Sequence, residues 1–432
     1  MKVLFLFVLV MMTSCVMQDE NKFYMPAEWE PHDAIWLGWE DDQLQYRPAV
    51  VKIIKALKAH VKIKIAVSDD CLMRVAKKYL QEEGIDPSQL QFYNTDGAGY
   101  WIRDFGATFL VNGKGQIAVA GFGWNRYGYP GWLEIRYDNN RDSISKYLMK
   151  HEVKMKLTDG VDSLMAVVEG ASTLRTDVKH EGGATEVNGK GTLILCEATV
   201  FQRNPGRSKE ELESEFKRVL GVTNIIWMKK GLADDPLHFF RRISNNYVGG
   251  GTGGHTDEFV RFANANTILL AWIEESEKDL NPVNQMNYDR MNENFKILAE
   301  ARDQDGQAFA IVKVPLPDLI VKEVTAKENI DGGDWDGPLL KPSYFPAKES
   351  PTEGDTLLRV PAASYLNYLV TNRVVLLPTY TAVGSSAEKE NEVKRIFQEQ
   401  FPEREIVFID AMPQNWQGGG IHCSTQQQPA RK

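Results

Sequence analysis

Four glycine-bearing loops of this 432-residue chain carry side chains that could perform acid, base or nucleophilic chemistry. Asp104 lies in WIRDFG, Glu181 in HEGG, His255 and Asp257 in GHTDEF, and Cys423 in GGGIHCS. Glycine lets a backbone approach a ligand closely, carboxylates bind cations, and histidine transfers protons. A cysteine at such a loop can be a nucleophile, a metal ligand or an apolar filler. What these residues can do depends on whether the fold brings the loops to one place.

Taken alone, these residues also have ordinary structural interpretations. Asp104 could pair with its neighbour Arg103 or cap a turn, and Glu181 could be a solvated carboxylate at a glycine turn. If the chain is extended at Arg103, adjacent side chains point in opposite directions, so Asp104 needs a different cation. We predict that His255 and Asp257 lie on one face of a strand. A structural histidine bonded to its neighbour is the alternative there.

The cysteines differ in their surroundings. Cys71 lies in a helical pattern and Cys196 in an apolar strand pattern, and both are interpreted as packing residues, whereas Cys423 follows three glycines. No CxxC or Cys/His pair has zinc-site spacing, so we expect no metal. An unperturbed thiol has a pKa of about 8.5, so a nucleophilic Cys423 needs a nearby cation to ionise. A cationic substrate could supply that charge.

Three carboxylates, one histidine and one cysteine fit a guanidinium substrate better than an ester or an amide. Two carboxylates match a planar cation with fork-like N–H donors, and a thiolate is a suitable nucleophile for its electron-poor carbon. A serine nucleophile is not indicated, because no G-x-S-x-G segment follows a predicted strand. The net charge of −9 argues against nucleic acid as the main partner.

An internal repeat predicts how these loops are positioned. Five apolar strand patterns recur at residues 34–39, 116–121, 192–197, 267–272 and 374–379. Each precedes a helical pattern and a second predicted strand, at 61–67, 153–158, 222–228, 308–314 and 404–409. After the second strand come the polar loops 99–107, 179–186, 249–259, 330–337 and 418–427. A doubly wound sheet would show similar runs, but equivalent loops of a circular repeat would meet at one centre.

The N-terminus resembles an export signal. Lys2 precedes a ten-residue apolar run, and the segment MTSC ends at Cys15 like a bacterial lipobox. We therefore predict a signal peptide over residues 1–15, with Cys15 as the lipidation site and an exported, cell-envelope location. An uncleaved signal or a misassigned start codon is the alternative. Contact with a membrane is expected only through this anchor.

Five segments together resemble the agmatine deiminase and bacterial peptidylarginine deiminase family of guanidine-modifying enzymes. They are WIRDFGATF, EGGATEVNGKGTLILCEATVFQRNPG, GHTDEFVRF, PAASYLNYLVTNRVVLLPTY and GGGIHCSTQQ. The resemblance implies a single domain over residues 22–428 with the family's pentein fold, a five-bladed α/β propeller of ββαβ modules. It also implies that the enzyme uses no metal or organic cofactor.

The resemblance also implies roles for individual residues. Cys423 would be the nucleophile that forms a covalent thiouronium, and His255 would protonate the departing ammonia and then activate water. Asp104 and Asp257 would hold the guanidinium, and Glu181 would bind it and orient His255. Trp101 and the backbone at Gly419 and Gly420 would line the pocket.

Two departures from the family pattern concern the substrate. The stretch WNRYG places Arg126 where it could pair with a carboxylate, as in the peptidylarginine branch, although it could equally be a solvent arginine. The segment 238–253 replaces a short acidic run of agmatine deiminases. The leading prediction is hydrolysis of agmatine to N-carbamoylputrescine, and the alternative is deimination of peptidyl arginine. An amidinotransferase and a non-catalytic guanidine-binding lipoprotein are less favoured. In the loop 330–337, Asp331 or Asp334 could hold a substrate amine, but a simple turn is preferred.

Overall fold

The computed structural model describes residues 21–40, 44–237, 239–329 and 339–431. The predicted signal with Cys15, and the loop that contains Asp331 and Asp334, lie outside these residues. Among the helices that are described, none combines the length and the apolar character needed to cross a membrane.

The strands of the described residues follow one another along the whole chain. They are β1 (His32–Gly38), β2 (Lys62–Val67), β3 (Gln91–Asn94), β4 (Thr108–Val111), β5 (Ile117–Gly123), β6 (Ser172–Lys179), β7 (Glu186–Val187), β8 (Thr192–Cys196), β9 (Asn224–Met228), β10 (Phe239–Ser244), β11 (Tyr247–Gly251), β12 (Val260–Asn264), β13 (Thr267–Trp272), β14 (Ala310–Pro315), β15 (Lys322–Ala326), β16 (Leu339–Leu340), β17 (Thr356–Val360), β18 (Leu369–Val370), β19 (Val374–Pro378), β20 (Glu405–Ile409) and β21 (Thr425–Pro429).

Helices separate many of these strands. They are α1 (Arg47–Leu57), α2 (Asp70–Glu82), α3 (Ile102–Phe105), α4 (Tyr129–Arg136), α5 (Arg141–Asp159), α6 (Val161–Glu169), α7 (Glu197–Arg203), α8 (Lys209–Leu220), α9 (Thr256–Phe259), α10 (Pro282–Glu300), α11 (Ala387–Gln400) and α12 (Met412–Asn415). Short 3₁₀ turns occur at Leu44–Tyr46, Pro87–Gln89, Gly182–Ala184, Lys278–Leu280, Pro342–Tyr344 and Thr381–Val383.

Five of the sheets share one pairing scheme within a single mixed α/β domain. In each, a central strand pairs antiparallel with one neighbour and parallel with the strand that follows the intervening helix or helices. Their strand orders are β21-β1-β2-β3, β4-β5-β6, β7-β8-β9, β12-β13-β14 and β18-β19-β20. A parallel pair needs a long crossover connection, and here the helices provide it. The observed central strands coincide with the five predicted apolar runs.

A sixth sheet, in the order β10-β11-β17-β15-β16, does not follow this scheme. It contains the β10–β11 hairpin, which is formed within the segment 238–253. Strand β11 of the hairpin pairs in parallel with β17, so the hairpin is part of a sheet with strands from later in the chain.

The central strands read as continuous apolar runs because both of their faces are buried. β8 and β19 are buried along their whole length, as expected for strands covered by helices. The helices that cover them carry clear end signals. For example, α8 begins with a capping box, in which the side chains of Ser208 and Glu211 each accept a hydrogen bond from the other residue's backbone N–H. The helix buries Leu212 and Phe216.

One predicted strand is wrong. Residues 153–158 lie inside α5, and the strand that pairs with β5 is β6. The stretch VKMKLT alternates apolar and charged residues, but lysine, methionine and leucine are also good helix formers, and Asn140 caps the helix N-terminus. β6 contains three β-branched residues, which favour a strand.

Candidate active site

The five side chains with predicted catalytic roles are brought together by the fold. Asp104 and Cys423 line a cavity of about 360 Å³, and Glu181, His255 and Asp257 lie around its floor. All five are almost completely buried, with exposed fractions of 4% or less. Buried ionisable groups are costly unless they are paired or used, so their convergence identifies this floor as the candidate active site.

Asp104 lies on a single helical turn, α3, rather than on extended chain. Its neighbour Arg103 points elsewhere: Nη1 lies 3.0 Å from Oε1 of Glu28, Nε lies 3.3 Å from the carbonyl oxygen of His422, and Nη2 donates to Gln427. The predicted conformation was therefore wrong, but Arg103 and Asp104 are indeed not paired. The nearest cationic group to Asp104 is His255, whose Nδ1 lies 3.7 Å from Oδ1.

His255 and Asp257 do not lie on a strand, which corrects the sequence prediction. His255 is the N-cap of α9, and Asp257 is in its first turn. The strand β11 ends before them because Gly253 and Gly254 have positive φ angles, of 92° and 101°, which turn the chain away from the strand direction. Asp235 stabilises this turn, since its carboxylate accepts hydrogen bonds from the backbone N–H groups of Gly253, Gly254 and His255.

His255 lies between acidic groups. Its Nε2 is 3.4 Å from Oε2 of Glu181, opposite the 3.7 Å approach of Asp104. Burial lowers the pKa of His255, but Asp104, Glu181 and Asp257 outweigh this effect and raise it to about 9. His255 is therefore protonated at neutral pH and can serve as an acid.

Glu181 is held by Arg203 as well as by His255. Arg203 Nε lies 2.9 Å and 3.2 Å from its two carboxylate oxygens. Burial raises the pKa of Glu181, but Arg203 and His255 lower it to about 2, so the carboxylate stays ionised. This arrangement matches a residue that orients His255, and Arg203 is a partner that the sequence analysis did not find.

Cys423 has one donor and one acceptor beside its sulfur. Nδ2 of Asn367 lies 3.1 Å from Sγ, and Oδ2 of Asp257 lies 3.4 Å away. Burial, Asp257, Glu258 and Asp104 raise the pKa of the thiol well above its ordinary value. In the empty site the thiol is protonated, and it needs added positive charge to ionise.

One carboxylate oxygen of Asp257 has no hydrogen-bond donor among the described residues. Its Oδ2 lies 2.8 Å from Nδ1 of His422, whereas the buried Oδ1 has no hydrogen-bond partner among the described residues. A buried acceptor without a partner is costly, and it is expected where a ligand supplies the donor. Asp257, Glu258 and Cys423 also bring one ligand atom each within 4.8 Å, as a metal site could. A bound cation of either kind would lower the pKa of the thiol, and the free Oδ1 of Asp257 is an acceptor that an N–H donor can fill.

Gly183 marks the centre of the site, and the sequence analysis did not single it out. Its N–H donates to Oδ1 of Asp104 at 3.0 Å. A Cβ at this position would lie 2.7 Å from Nδ1 of His255, 2.8 Å from Oδ1 of Asp104 and 2.9 Å from Oδ2 of Asp257. These three side chains thus converge on Gly183 and pack so closely against it that any side chain at this position would displace them.

The pocket wall contains the residues predicted to line it. A Cβ on Gly419 would lie 2.8 Å from the ring of Trp101 and 3.1 Å from Sγ of Cys423, so glycine is needed where the loop passes between them. A Cβ on Gly420 would lie 2.6 Å from Oδ1 of Asn367. Trp101 and Gly419 line the cavity, whereas Gly420 lies behind this wall, against Asn367.

The outer part of the pocket is aromatic and carries two cations. Arg126 lines it with its guanidinium 4.8 Å from the ring centre of Tyr129, and α5 contributes Lys154. Lys154 lies 3.6 Å from Glu40, another residue of the wall. Phe240 comes from the β10–β11 hairpin, so this hairpin borders the pocket.

Cys71 is not the packing residue that the sequence suggested. It is exposed on α2, whereas Cys196 is fully buried in β8 as expected. The helical pattern around Cys71 was correct, but the position lies on the outer face of that helix.

The hydroxyl of Tyr127 helps to keep the Asp104 carboxylate ionised, which gives a testable pH dependence. Its hydroxyl donates to Oδ2 of Asp104 at 2.8 Å. Burial raises the pKa of Asp104 to about 6, although His255 and the Tyr127 hydrogen bond lower it. The Tyr127→Phe variant loses a donor to the ionised form, so the acid limb of kcat/KM is expected to move to higher pH by roughly half a unit to one unit. The measurement is ammonia release against pH, and an unmoved limb would show that Asp104 does not set it.

Comparisons with known proteins identify the family of the chain. The family model of the Porphyromonas-type peptidyl-arginine deiminases matches residues 24–429. The agmatine deiminase of Ectopseudomonas mendocina is 29% identical over 419 residues, which cover 94% of this chain and 96% of that protein. The agmatine deiminase of Pseudomonas aeruginosa is 27% identical over 420 residues, with coverage of 94% and 96%.

Solved structures share the fold. The agmatine deiminase of Enterococcus faecalis has a TM-score of 0.69 at 24% identity and covers 95% of this chain and 96% of its own. A substrate-bound agmatine deiminase variant of C. jejuni has a TM-score of 0.64 at 18% identity, with coverage of 94% and 96%. With the family model matched along nearly the whole chain, the protein belongs to the Porphyromonas-type peptidyl-arginine deiminase family and is a deiminase, a hydrolase of carbon–nitrogen bonds.

Proposed function

We propose that this protein hydrolyses the guanidinium group of agmatine to give N-carbamoylputrescine and ammonia. The observation that carries the proposal is the convergence of Asp104, Asp257 and His255 on Gly183 at the floor of the cavity. Cys423 joins this group, with its sulfur 3.4 Å from Asp257, and lines the cavity with Asp104. The relatives named agmatine deiminase support agmatine as the substrate.

Binding and attack follow from the charges of the site. The free Oδ1 of Asp257 and the carboxylate of Asp104 accept hydrogen bonds from the guanidinium nitrogens. The added positive charge offsets the carboxylates that raise the pKa of the Cys423 thiol, so the thiol ionises beside the guanidinium carbon and its proton passes to solvent, since His255 is already protonated. The thiolate then forms a C–S bond, and the electron pair of the C=N bond moves to nitrogen.

His255 serves both half-reactions. In the first, it donates its proton to the leaving nitrogen of the tetrahedral adduct, the C–N bond breaks, and ammonia departs, which leaves a thiouronium on Cys423. The neutral imidazole then accepts a proton from water as the oxygen attacks the same carbon. When the C–S bond breaks, its electron pair stays on the sulfur as a thiolate, the hydroxyl of the intermediate loses its proton to solvent as the C=O bond forms, and the ureido product leaves. Glu181 and Arg203 keep the ring oriented through both steps.

Peptidyl arginine with a free C-terminal carboxylate is the second candidate substrate. Arg126 and Lys154 carry positive charge at the outer pocket, where the amine of agmatine would be repelled and a carboxylate attracted. Glu40 is the acid of this outer wall among the described residues, and it faces Lys154. The β10–β11 hairpin supplies Phe240 and glycines there, rather than acids.

Ammonia release from agmatine, free arginine and a peptide ending in arginine tests these candidates. We expect agmatine to give the highest kcat/KM, and a preference for the peptide would favour the second candidate. No ammonia from any guanidine would contradict deimination altogether. The protein used should lack residues 1–15, the predicted signal segment.

The Arg126→Ala variant separates carboxylate recognition from a structural role. We expect kcat/KM for the arginine peptide to fall about tenfold, because one ion pair at a partly screened site is lost, while kcat/KM for agmatine changes less than about threefold. Arg126→Lys, which keeps the charge, is the matched control and should retain more activity on the peptide. Equal losses on both substrates would make Arg126 structural.

We also propose that the five equivalent sheets close into the five-bladed propeller that the family resemblance implies. Hydrogen bonds between neighbouring sheets support a ring. Gln426 of β21 donates to Ala107 beside β4, Gln427 of β21 to Val370 of β18, and Arg261 of β12 both to Glu186 of β7 and to the carbonyl of Tyr368 beside β18. A crystal structure in which these strands do not surround one axis would contradict it.

Export remains a proposal that rests on the sequence of residues 1–15. The apolar run and the lipobox-like segment ending at Cys15 support an envelope location. Cell fractionation of the full chain against a Cys15→Ser variant tests it. We expect the full chain in the membrane fraction and the variant to lose lipid labelling, and equal behaviour of both would contradict lipidation.

A further inference from the structure

Asn367 contacts the sulfur of Cys423, although no part of the catalytic scheme above uses it. Its Nδ2 lies 3.1 Å from Sγ and 2.8 Å from Oε1 of Glu258. Asn367, Glu258 and Cys423 are each 2% exposed or less. The three side chains therefore form a buried hydrogen-bonded chain that ends at the nucleophile.

The orientation of the Asn367 amide is fixed by what surrounds it. The backbone N–H of His422 lies 2.9 Å from Oδ1 of Asn367, and an N–H group can only donate. The oxygen must therefore face His422, and Nδ2 must face the other side. Nδ2 carries two hydrogens, one for Glu258 and one for Cys423. A flipped amide would set an N–H₂ group against the N–H of His422.

A donor at this place matters because the sulfur is otherwise surrounded by acids. Asp257, Glu258 and Asp104 all raise the pKa of the Cys423 thiol, while the backbone N–H of Gly420 lowers it. An ionised sulfur that is buried beside carboxylates needs hydrogen-bond donors to be stable. Among the described side chains that bond Sγ, Asn367 is the one that donates to it.

Glu258 is suited to holding the amide without adding negative charge. Its Oε1 accepts from Asn367, and its buried Oε2 has no hydrogen-bond partner among the described residues. Burial and the neighbouring Asp257 raise the pKa of Glu258 well above its ordinary value, which favours the neutral acid, and in that form Glu258 no longer raises the pKa of the Cys423 thiol. A neutral carbonyl oxygen still accepts the amide hydrogen, but it does not repel the thiolate.

We propose that Asn367 is a catalytic residue whose amide stabilises the Cys423 thiolate, and that Glu258 is a positioning residue that orients this amide. The inference rests on Cys423 being the nucleophile of the proposed function. It assigns stabilisation of the reactive sulfur to a residue of the PAASYLNY segment, at a distance of 56 residues along the chain.

The Asn367→Asp variant tests the donor directly. It keeps an oxygen for the N–H of His422 and replaces Nδ2 by an oxygen that cannot stabilise a thiolate. We expect kcat to fall about 10- to 100-fold with KM within about threefold, and the thiol pKa to rise by roughly one to two units. The thiol pKa is measured from the pH dependence of iodoacetamide alkylation, quantified on the Cys423 peptide. A second probe is pentylguanidine, a guanidinium without the amine of agmatine, which is expected to ionise the thiol when it binds. The ultraviolet absorbance of the resulting thiolate should appear at higher pH in the variant than in the wild type.

A matched control is Asn188→Asp, another exchange of a buried asparagine. Its Nδ2 donates to the carbonyl of Ala265 at 3.2 Å, and the residue does not line the pocket. This variant should keep the wild-type thiol pKa and kcat. Any loss of stability common to both variants, measured by thermal unfolding, then reports the general cost of the exchange. A folded Asn367→Asp protein with wild-type thiol pKa and kcat would overturn the inference.

The role of Glu258 is tested by rescue. Glu258→Leu removes the acceptor, so the amide loses its orientation and kcat should fall about tenfold, whereas Glu258→Gln, which keeps an acceptor oxygen, should restore most of the loss. If Asn367→Asp does not fold, this pair decides, and equal losses in both variants would overturn the inference. If alkylation of Cys423 leaves the wild-type activity intact, the proposed nucleophile is wrong, and that result contradicts the proposed function instead.

Discussion

Cys423→Ser is expected to release ammonia from agmatine at less than about a thousandth of the wild-type rate. A hydroxyl is a much poorer nucleophile than a thiolate and is intrinsically a weaker acid than a thiol, and the carboxylates beside Sγ oppose its ionisation as well. The variant should still bind agmatine, because Asp104 and Asp257 remain. The measurements are ammonia release and isothermal calorimetry with agmatine.

The exposed thiol of Cys71 provides the control for this experiment. Cys71 lies on the outer face of α2, so Cys71→Ser should keep the wild-type rate and should remove background labelling in alkylation experiments. Residual activity of Cys423→Ser above about a hundredth of wild type would remove the nucleophile role from Cys423. Loss of both binding and turnover would instead indicate a misfolded site.

The sequence predicted the elements whose signal is local. The central strands, such as β8 and β19, are short apolar runs, and such runs are buried wherever helices cover both faces of a sheet. The failure at residues 153–158 has the opposite cause. Alternation of apolar and charged residues there is compatible with a strand, but the same residues are good helix formers and continue a helix that Asn140 caps, so the alternation alone was misleading. The extra sheet around the β10–β11 hairpin also depends on pairing with β17, far along the chain.

The candidate site was predictable as a set of residue types, but its geometry was not. The loops around Asp104 and Cys423 could be found because glycines accompany reactive side chains. The helical turns at Asp104 and Asp257 were missed because their ends are fixed by tertiary hydrogen bonds, such as those that Asp235 accepts. Asn367 had no local signal at all, since its role comes from a sulfur atom on another segment.

The charges of the site explain why a guanidinium is needed for reaction. The empty site holds a protonated thiol, a protonated His255 and a carboxylate, Asp104, with a pKa of about 6. Neither a neutral amine nor a neutral amide would supply the charge that ionises the sulfur. A guanidinium supplies it at the place where Asp257 has a free acceptor, so binding and activation of the nucleophile are coupled.

His255→Ala is expected to lower kcat for agmatine by about 10³- to 10⁴-fold, at the upper end for acid–base catalysis because His255 serves both half-reactions. The pH profile provides a second readout. The pKa of His255 is about 9, so the acid form is lost as pH rises through that value, and kcat/KM should fall on the alkaline side. In the complex the positive charge of the substrate lowers this pKa, so the alkaline limb of kcat should lie at lower pH than that of kcat/KM.

The neighbouring buried histidine separates this role from a general effect of removing an imidazole. His180 bonds Thr185 through Nε2, and burial lowers its pKa to about 3, so it is neutral and cannot serve as the acid. His180→Ala should therefore keep the alkaline limb even if it loses stability, whereas His255→Ala should lose the limb together with the rate. An unchanged rate in His255→Ala would place the proton donor elsewhere. The same limb in both variants would mean that a group other than His255 titrates near pH 9.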